Sequence, residues 1–175
     1  LALHHDLLEQ AFHLATRERK NPKQASLRRA VLAAYYALFH LLVAEASSPL
    51  SPTRPAGLET LIGRAFDHGH MRHVCSGLVK WNAAGGGDQH IPRATQVLLD
   101  HPFDHGLAAV LRTFVDLQEA RHQADYDLTT TWNRPIALNH AQAVRDAFSA
   151  WKATRQTPNA SVVLTALLLQ RHWRR

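Results

Sequence analysis

The sequence predicts an all-α, up-and-down bundle of about five to six helices in a single domain spanning residues 1–175. Three observations carry this. Apolar residues recur at helical spacing in Leu107, Val110, Leu111, Phe114 and Leu117. Residues 30–46, AVLAAYYALFHLLVAEA, are apolar on more than one side, as in the central helix of a bundle. No segment alternates apolar and polar residues in the manner of a strand, and Asn21-Pro22, His101-Pro102 and Thr157-Pro158 break the chain where helices should stop.

The first helix is expected over about residues 3–20, with Leu3, Leu7, Leu8, Leu14 and Ala15 as its stripe. Pro22 suits the first turn of a second helix reaching Ala46. In it, Val31, Tyr35, Leu38 and Leu42 form one stripe; Tyr36, Phe39, His40 and Val43 form another. Ala30, Ala33, Ala34 and Ala37 allow neighbouring helices close approach. The proline-rich residues 47–56 read as a loop. A third helix starts near Gly57 and is interrupted at HGH, 68–70, or runs on to Trp81. Residues 82–92 hold three consecutive glycines and predict a mobile loop; they lack the spacing of a nucleotide-phosphate cradle. A short helix over 92–100 precedes a long one over about 104–127. A further helix covers about 135–156, and a last one about 159–172.

The net charge is +6, with a pI near 10.1, compatible with phosphate or nucleic-acid contact. Part of the excess sits in Arg171, His172, Arg174 and Arg175. No apolar run approaches the roughly 18 residues of a membrane span, no secretory or lipidation signal is read, and a cytoplasmic location with no membrane partner is expected. The one cysteine, Cys75, excludes an intrachain disulfide framework and a cysteine zinc site. The chain begins at Leu1 and its one methionine is Met71, so further residues are expected upstream.

The most unusual stretch is RHQADYD, residues 121–127, near the end of the long helix. Its apolar stripe, carried on for two turns, passes through Arg121, then Ala124 and Asp125, then Leu128. A core face that ends in an arginine and a carboxylate is costly unless the two pair or face a cleft. His122, Tyr126 and Asp127 share the same turn. Arg121 and Asp125 stand i,i+4, the spacing of a simple helix ion pair, and Asp127 can end the helix locally.

AYYALFH at 34–40, followed by Arg121, Ala124, Asp125 and Tyr126 in an R-x-x-A-D-Y arrangement, resembles the HEPN superfamily of helical bundles. The two motifs stand in the family's order, with the histidine-containing RAFDHGHMRH, 64–73, between them, and the resemblance runs from the first helix to about Trp151. It implies a four- to five-helix bundle, commonly a homodimer in which two arginine motifs meet in a cleft. Many members are metal-independent endoribonucleases that act as toxins or in antiviral defence. Others bind nucleotides or partners without catalysis, and some are paired with a small nucleotidyltransferase antitoxin. Catalytic members carry R-x(4–6)-H. Counted from Arg121 the histidine would fall at 126, 127 or 128, which are Tyr126, Asp127 and Leu128. Arg64 to His70 and Arg134 to His140 have that spacing, as chance alone would produce.

Metal-free RNA cleavage needs a base, an acid and a cation on the phosphorane. The resemblance gives the last role to Arg121, whose guanidinium matches phosphate geometry. His122, Asp125 and Tyr126 complete the candidate catalytic set. Tyr126 is also a hydroxyl that a partner nucleotidyltransferase would modify. Arg64, His68, His70, Tyr36 and His40 are the candidate binding residues. His68, His70 and His73 lack the carboxylates or cysteines of a metal set, so neither metal nor other cofactor is expected. Two function classes follow: an RNA-binding or RNA-cleaving toxin or defence protein, and a non-catalytic adaptor that uses the same cleft for a nucleotide or partner.

Overall fold

The computed structural model describes residues 2–47, 57–87 and 91–169. It is an all-α helical bundle, with no strand among the described residues. The helices are α1 (Leu3–Thr16), α2 (Gln24–Ser47), α3 (Leu58–Gly63), α4 (His68–Ala83), α5 (Arg93–Gln96), α6 (His105–Tyr126), α7 (Arg134–Thr154) and α8 (Pro158–Leu168).

Among the described residues there are eight helices, and two of the expected elements change their bounds for local reasons. Asp67 accepts from the backbone N–H of His70 and caps a fresh helix there, so the third expected helix is two, α3 and α4. The expected helix over 92–100 shortens to one turn, α5, because its C-terminal end pulls into the turns around Asp100. The glycine loop starts later than expected. Helix α4 runs through Ala83, and Gly85 and Gly86 turn with positive φ, the Gly86 N–H donating to the Trp81 carbonyl at 3.0 Å. The expected loop at 48–56, residues 88–90 of the glycine loop and the basic cluster Arg171, His172, Arg174 and Arg175 lie outside the described residues.

The chain divides into two compact units. Unit 1 comprises Leu1–Leu41 and Thr113–Ser149; unit 2 comprises Leu42–Arg112 and Ala150–Arg175. In unit 1, Ala15 of α1, Leu27, Ala30, Val31 and Leu32 of α2, Ala120 and Ala124 of α6, and Ala137 of α7 pack around Trp132. In unit 2, Met71, Val74, Cys75 and Leu78 of α4 and Val163 and Leu167 of α8 are buried, and α4 packs on α8. Asn159 of α8 fixes the turn after α5 by exchanging hydrogen bonds with the Asp100 backbone, both at 2.8 Å.

Although no unbroken apolar run is as long as a membrane span, α2 is long and apolar enough to cross one by length and composition. Most of that window is buried within the protein, as a core helix is.

Candidate functional site

The site is built within unit 1, where α6 runs out of core. Leu107, Val110, Leu111, Phe114 and Leu117 are buried, as their spacing requires. One turn on, the same stripe presents Arg121, whose side chain is 17% exposed, and Asp125, 26% exposed. Their Nη2 and Oδ2 atoms lie 3.5 Å apart. The pair is therefore neither sealed in the core nor free on the surface.

The other side of Arg121 is supplied by α2. Its guanidinium carbon lies 5.7 Å from the centroid of the Tyr35 ring, which is fully buried. Tyr36 is half-buried, 5.3 Å from Tyr35 ring to ring, and its hydroxyl accepts a hydrogen bond from the Arg121 guanidinium. Burial works against the charge on Arg121. The Tyr36 hydroxyl, then Asp125 and Tyr35, outweigh it and hold the arginine's pKa above its ordinary value. Its Nε is buried with no hydrogen-bond partner among the described residues. The AYYALFH and R-x-x-A-D-Y stretches thus meet on one guanidinium.

The turn after α6 is fixed from two directions. Arg28 of α2 donates to the carbonyls of Ala124 (2.8 Å), Asp127 (2.9 Å) and Thr130 (2.8 Å), with a longer contact to Gln123 at 3.5 Å. These include carbonyls that the end of a helix leaves unpaired, at the negative end of its dipole. The Asp127 carboxylate accepts from the hydroxyl of Thr129 at 2.6 Å, from the Thr129 N–H at 2.8 Å and from Thr130. These bonds, the Thr129 hydroxyl first, hold its pKa far below the usual carboxylate range. The expected continuation of the core stripe to Leu128 is corrected here. Helix α6 stops at Tyr126, so Leu128 leaves the helical register and is 88% exposed.

Of the candidate catalytic residues, Arg121 and Asp125 pair with each other and Tyr36 joins them. His122 is exposed and turns to Tyr126, ring to ring at 5.0 Å; Tyr126 is 67% exposed. His40 lies 6.3 Å from the Tyr36 ring, and burial pushes its pKa down. Arg64, His68 and His70 belong to unit 2. Arg64 follows the end of α3. His70 serves the start of α4, its Nδ1 2.8 Å from the Asp67 carboxylate that caps the helix. Arg134 donates to the Glu18 and Arg19 carbonyls in the segment after α1. No three His, Cys, Asp or Glu side chains converge on a metal position among the described residues.

Two residues of the site escaped the sequence reading. Tyr35 read as core, and it is, yet its ring is also the platform under Arg121. Arg28 carried no assignment. Its signal was present: the stripe Val31, Tyr35, Leu38, Leu42 extended one turn back lands on Arg28, as the α6 stripe extended forward lands on Arg121.

No family model, curated protein or solved structure matches this chain.

Proposed function

We propose that this chain is an HEPN-like RNA-binding protein in which Arg121 receives a backbone phosphate. The observation that carries the reading is the Arg121 guanidinium, oriented by Tyr35, Tyr36 and Asp125 and still partly open to solvent. A planar cation held in this way matches the edge of a phosphate and loses little freedom on binding. The net charge of +6 favours the same ligand.

Metal-independent cleavage is the second reading. A carboxylate, Asp125, and a phenol, Tyr36, stand beside the guanidinium and are the base and acid such a reaction would use in place of a histidine. A homodimer belongs to the proposal, with exposed Tyr126 and Leu128 beside the site as the face offered to the second copy. The exposed Tyr126 hydroxyl is also the group open to a nucleotidyltransferase partner.

The test is binding of a fluorescent single-stranded RNA to wild type and Arg121→Ala between 50 and 200 mM salt, with cleavage followed in EDTA. The expected result is weaker binding by the variant at every salt concentration and a salt slope shallower by about 1. Product formation in EDTA that is lost in Arg121→Ala would select the nuclease reading. Equal RNA affinity in the two proteins would sink the phosphate role and leave the adaptor reading.

A further inference from the structure

The positive charge of this chain is concentrated in one stretch. Residues 17–29 hold Arg17, Arg19, Lys20, Lys23, Arg28 and Arg29 against one carboxylate, Glu18, which is +5 of the net +6. They form the turn between α1 and α2 and the start of α2 itself, all within unit 1. Arg28 is spent on the carbonyls at the end of α6. The other five cations are exposed, and no role above uses them.

The turn is held in shape by its own negative groups. Arg134 of α7 donates to the Glu18 and Arg19 carbonyls. The Glu18 carboxylate accepts from the hydroxyl of buried Ser26 at 2.8 Å and from the Lys23 N–H at 3.4 Å. At the end of α6, Asp125 is paired with Arg121, and Asp127 accepts from Thr129 and Thr130. A cluster of like charges fixed in this way raises the local concentration of anions.

The cluster is also aligned with Arg121. Arg29 stands seven residues before Tyr36 on α2, within about 20° of the same line and roughly 10 Å nearer the turn. Tyr36 accepts a hydrogen bond from the Arg121 guanidinium. Lys23, at the entry to α2, is roughly 20 Å from Tyr36 along the axis. At about 3.4 Å per nucleotide of a stacked strand, that span is about six nucleotides. Among residues 17–29 no large apolar side chain is exposed, whereas a segment that docks on a membrane surface carries an apolar face.

We infer that the α1–α2 turn and Arg29 form a backbone track for single-stranded RNA, which holds the phosphates that follow the one on Arg121. That order along the strand rests on the phosphate role of Arg121 proposed above; the track itself does not. Its arginines and lysines meet phosphates, so it adds affinity and sets the direction of the strand without reading bases.

The probe is a fluorescent 12-nucleotide oligouridine, titrated from 50 to 200 mM salt into wild type, Arg121→Ala and the triple variant Arg19→Gln/Lys20→Gln/Arg29→Gln. The triple variant is expected to bind at least tenfold more weakly at 50 mM salt, with a salt slope shallower by about 2. Urea midpoints report its folding, and Arg19→Lys/Arg29→Lys, which keeps every charge, is expected to keep the wild-type slope. A wild-type slope in the triple variant overturns the track, as does a slope equally shallow in the lysine variant. Displacement of the RNA by an equal concentration of a 12-residue polyglutamate, or by phosphatidylserine vesicles of equal accessible charge, overturns RNA as the partner. Loss in the triple variant with Arg121→Ala unchanged leaves the track standing and removes only the Arg121 role.

Discussion

The Arg121 guanidinium lies over the ring of Tyr35, 5.7 Å from its centroid, with the hydroxyl of the adjoining Tyr36 as a hydrogen-bond acceptor. Two consecutive tyrosines on α2 therefore serve one arginine on α6 through different chemistry. Tyr35 offers a buried π face, and Tyr36 offers an oxygen. Removing only the hydroxyl tests the second contribution. Tyr36→Phe is expected to weaken RNA binding two- to fivefold with the salt slope unchanged, since the phosphate contact itself persists. Fluorescence anisotropy at several salt concentrations measures both quantities. Affinity equal to wild type would show that Tyr36 does not orient the guanidinium.

Arg28 is expected to matter for stability more than its sequence context announces. Arg28→Ala strips hydrogen bonds from the Ala124, Asp127 and Thr130 carbonyls at once. The expected loss is about 2–3 kcal/mol, read from urea unfolding. Arg28→Lys should recover only part of it, because an ammonium cannot spread its donors as the planar fork does. Full recovery by lysine would mean that charge at the helix end, rather than the fork, is what counts.

Gly106 illustrates a glycine required by contact. A Cβ there would lie 2.6 Å from Cγ2 of Thr154 and 3.4 Å from the Ala150 carbonyl oxygen. Alanine is the better helix former, yet buried overlap of this kind costs about 1–3 kcal/mol and outweighs the gain. Gly106→Ala should lower the thermal midpoint. Combining it with Thr154→Ser, which removes the methyl, should restore most of the difference relative to Thr154→Ser alone. If the two effects simply add, the clash is relieved elsewhere.

Two histidines make stability pH-dependent. Burial pushes the pKa values of His40 and His140 below that of a free imidazole, so the unfolded chain takes up protons first as pH falls. Their contribution is fully present above about pH 6.5. It declines as pH drops below that toward the folded pKa values and then levels off. Urea midpoints from pH 7.5 to 4.5 should fall in wild type, and the fall should flatten in His40→Gln/His140→Gln. Parallel curves would remove these imidazoles as the cause. The low pKa of Asp127 acts in a separate range, with stability lost only as pH falls below about 4.

The pattern of residues by itself determined that the chain is helical and which faces are buried. Stripes such as Leu107–Leu117 and Val31–Leu42 are local in sequence, and a 3.6-residue period reads directly as a face. It also singled out Arg121 and Asp125, because charges on a core stripe conflict with their surroundings wherever the partner helix lies. Only the tertiary structure decided what resolves that conflict. The Tyr35 platform, the Tyr36 oxygen and the Arg28 cap come from α2, 80 or more positions away, and no periodicity records which faces of two helices meet. The same holds for the end of α6. Leu128 continues the stripe on paper, but bonds from Thr129 and Thr130 to Asp127 stop the helix first and turn that leucine out to solvent.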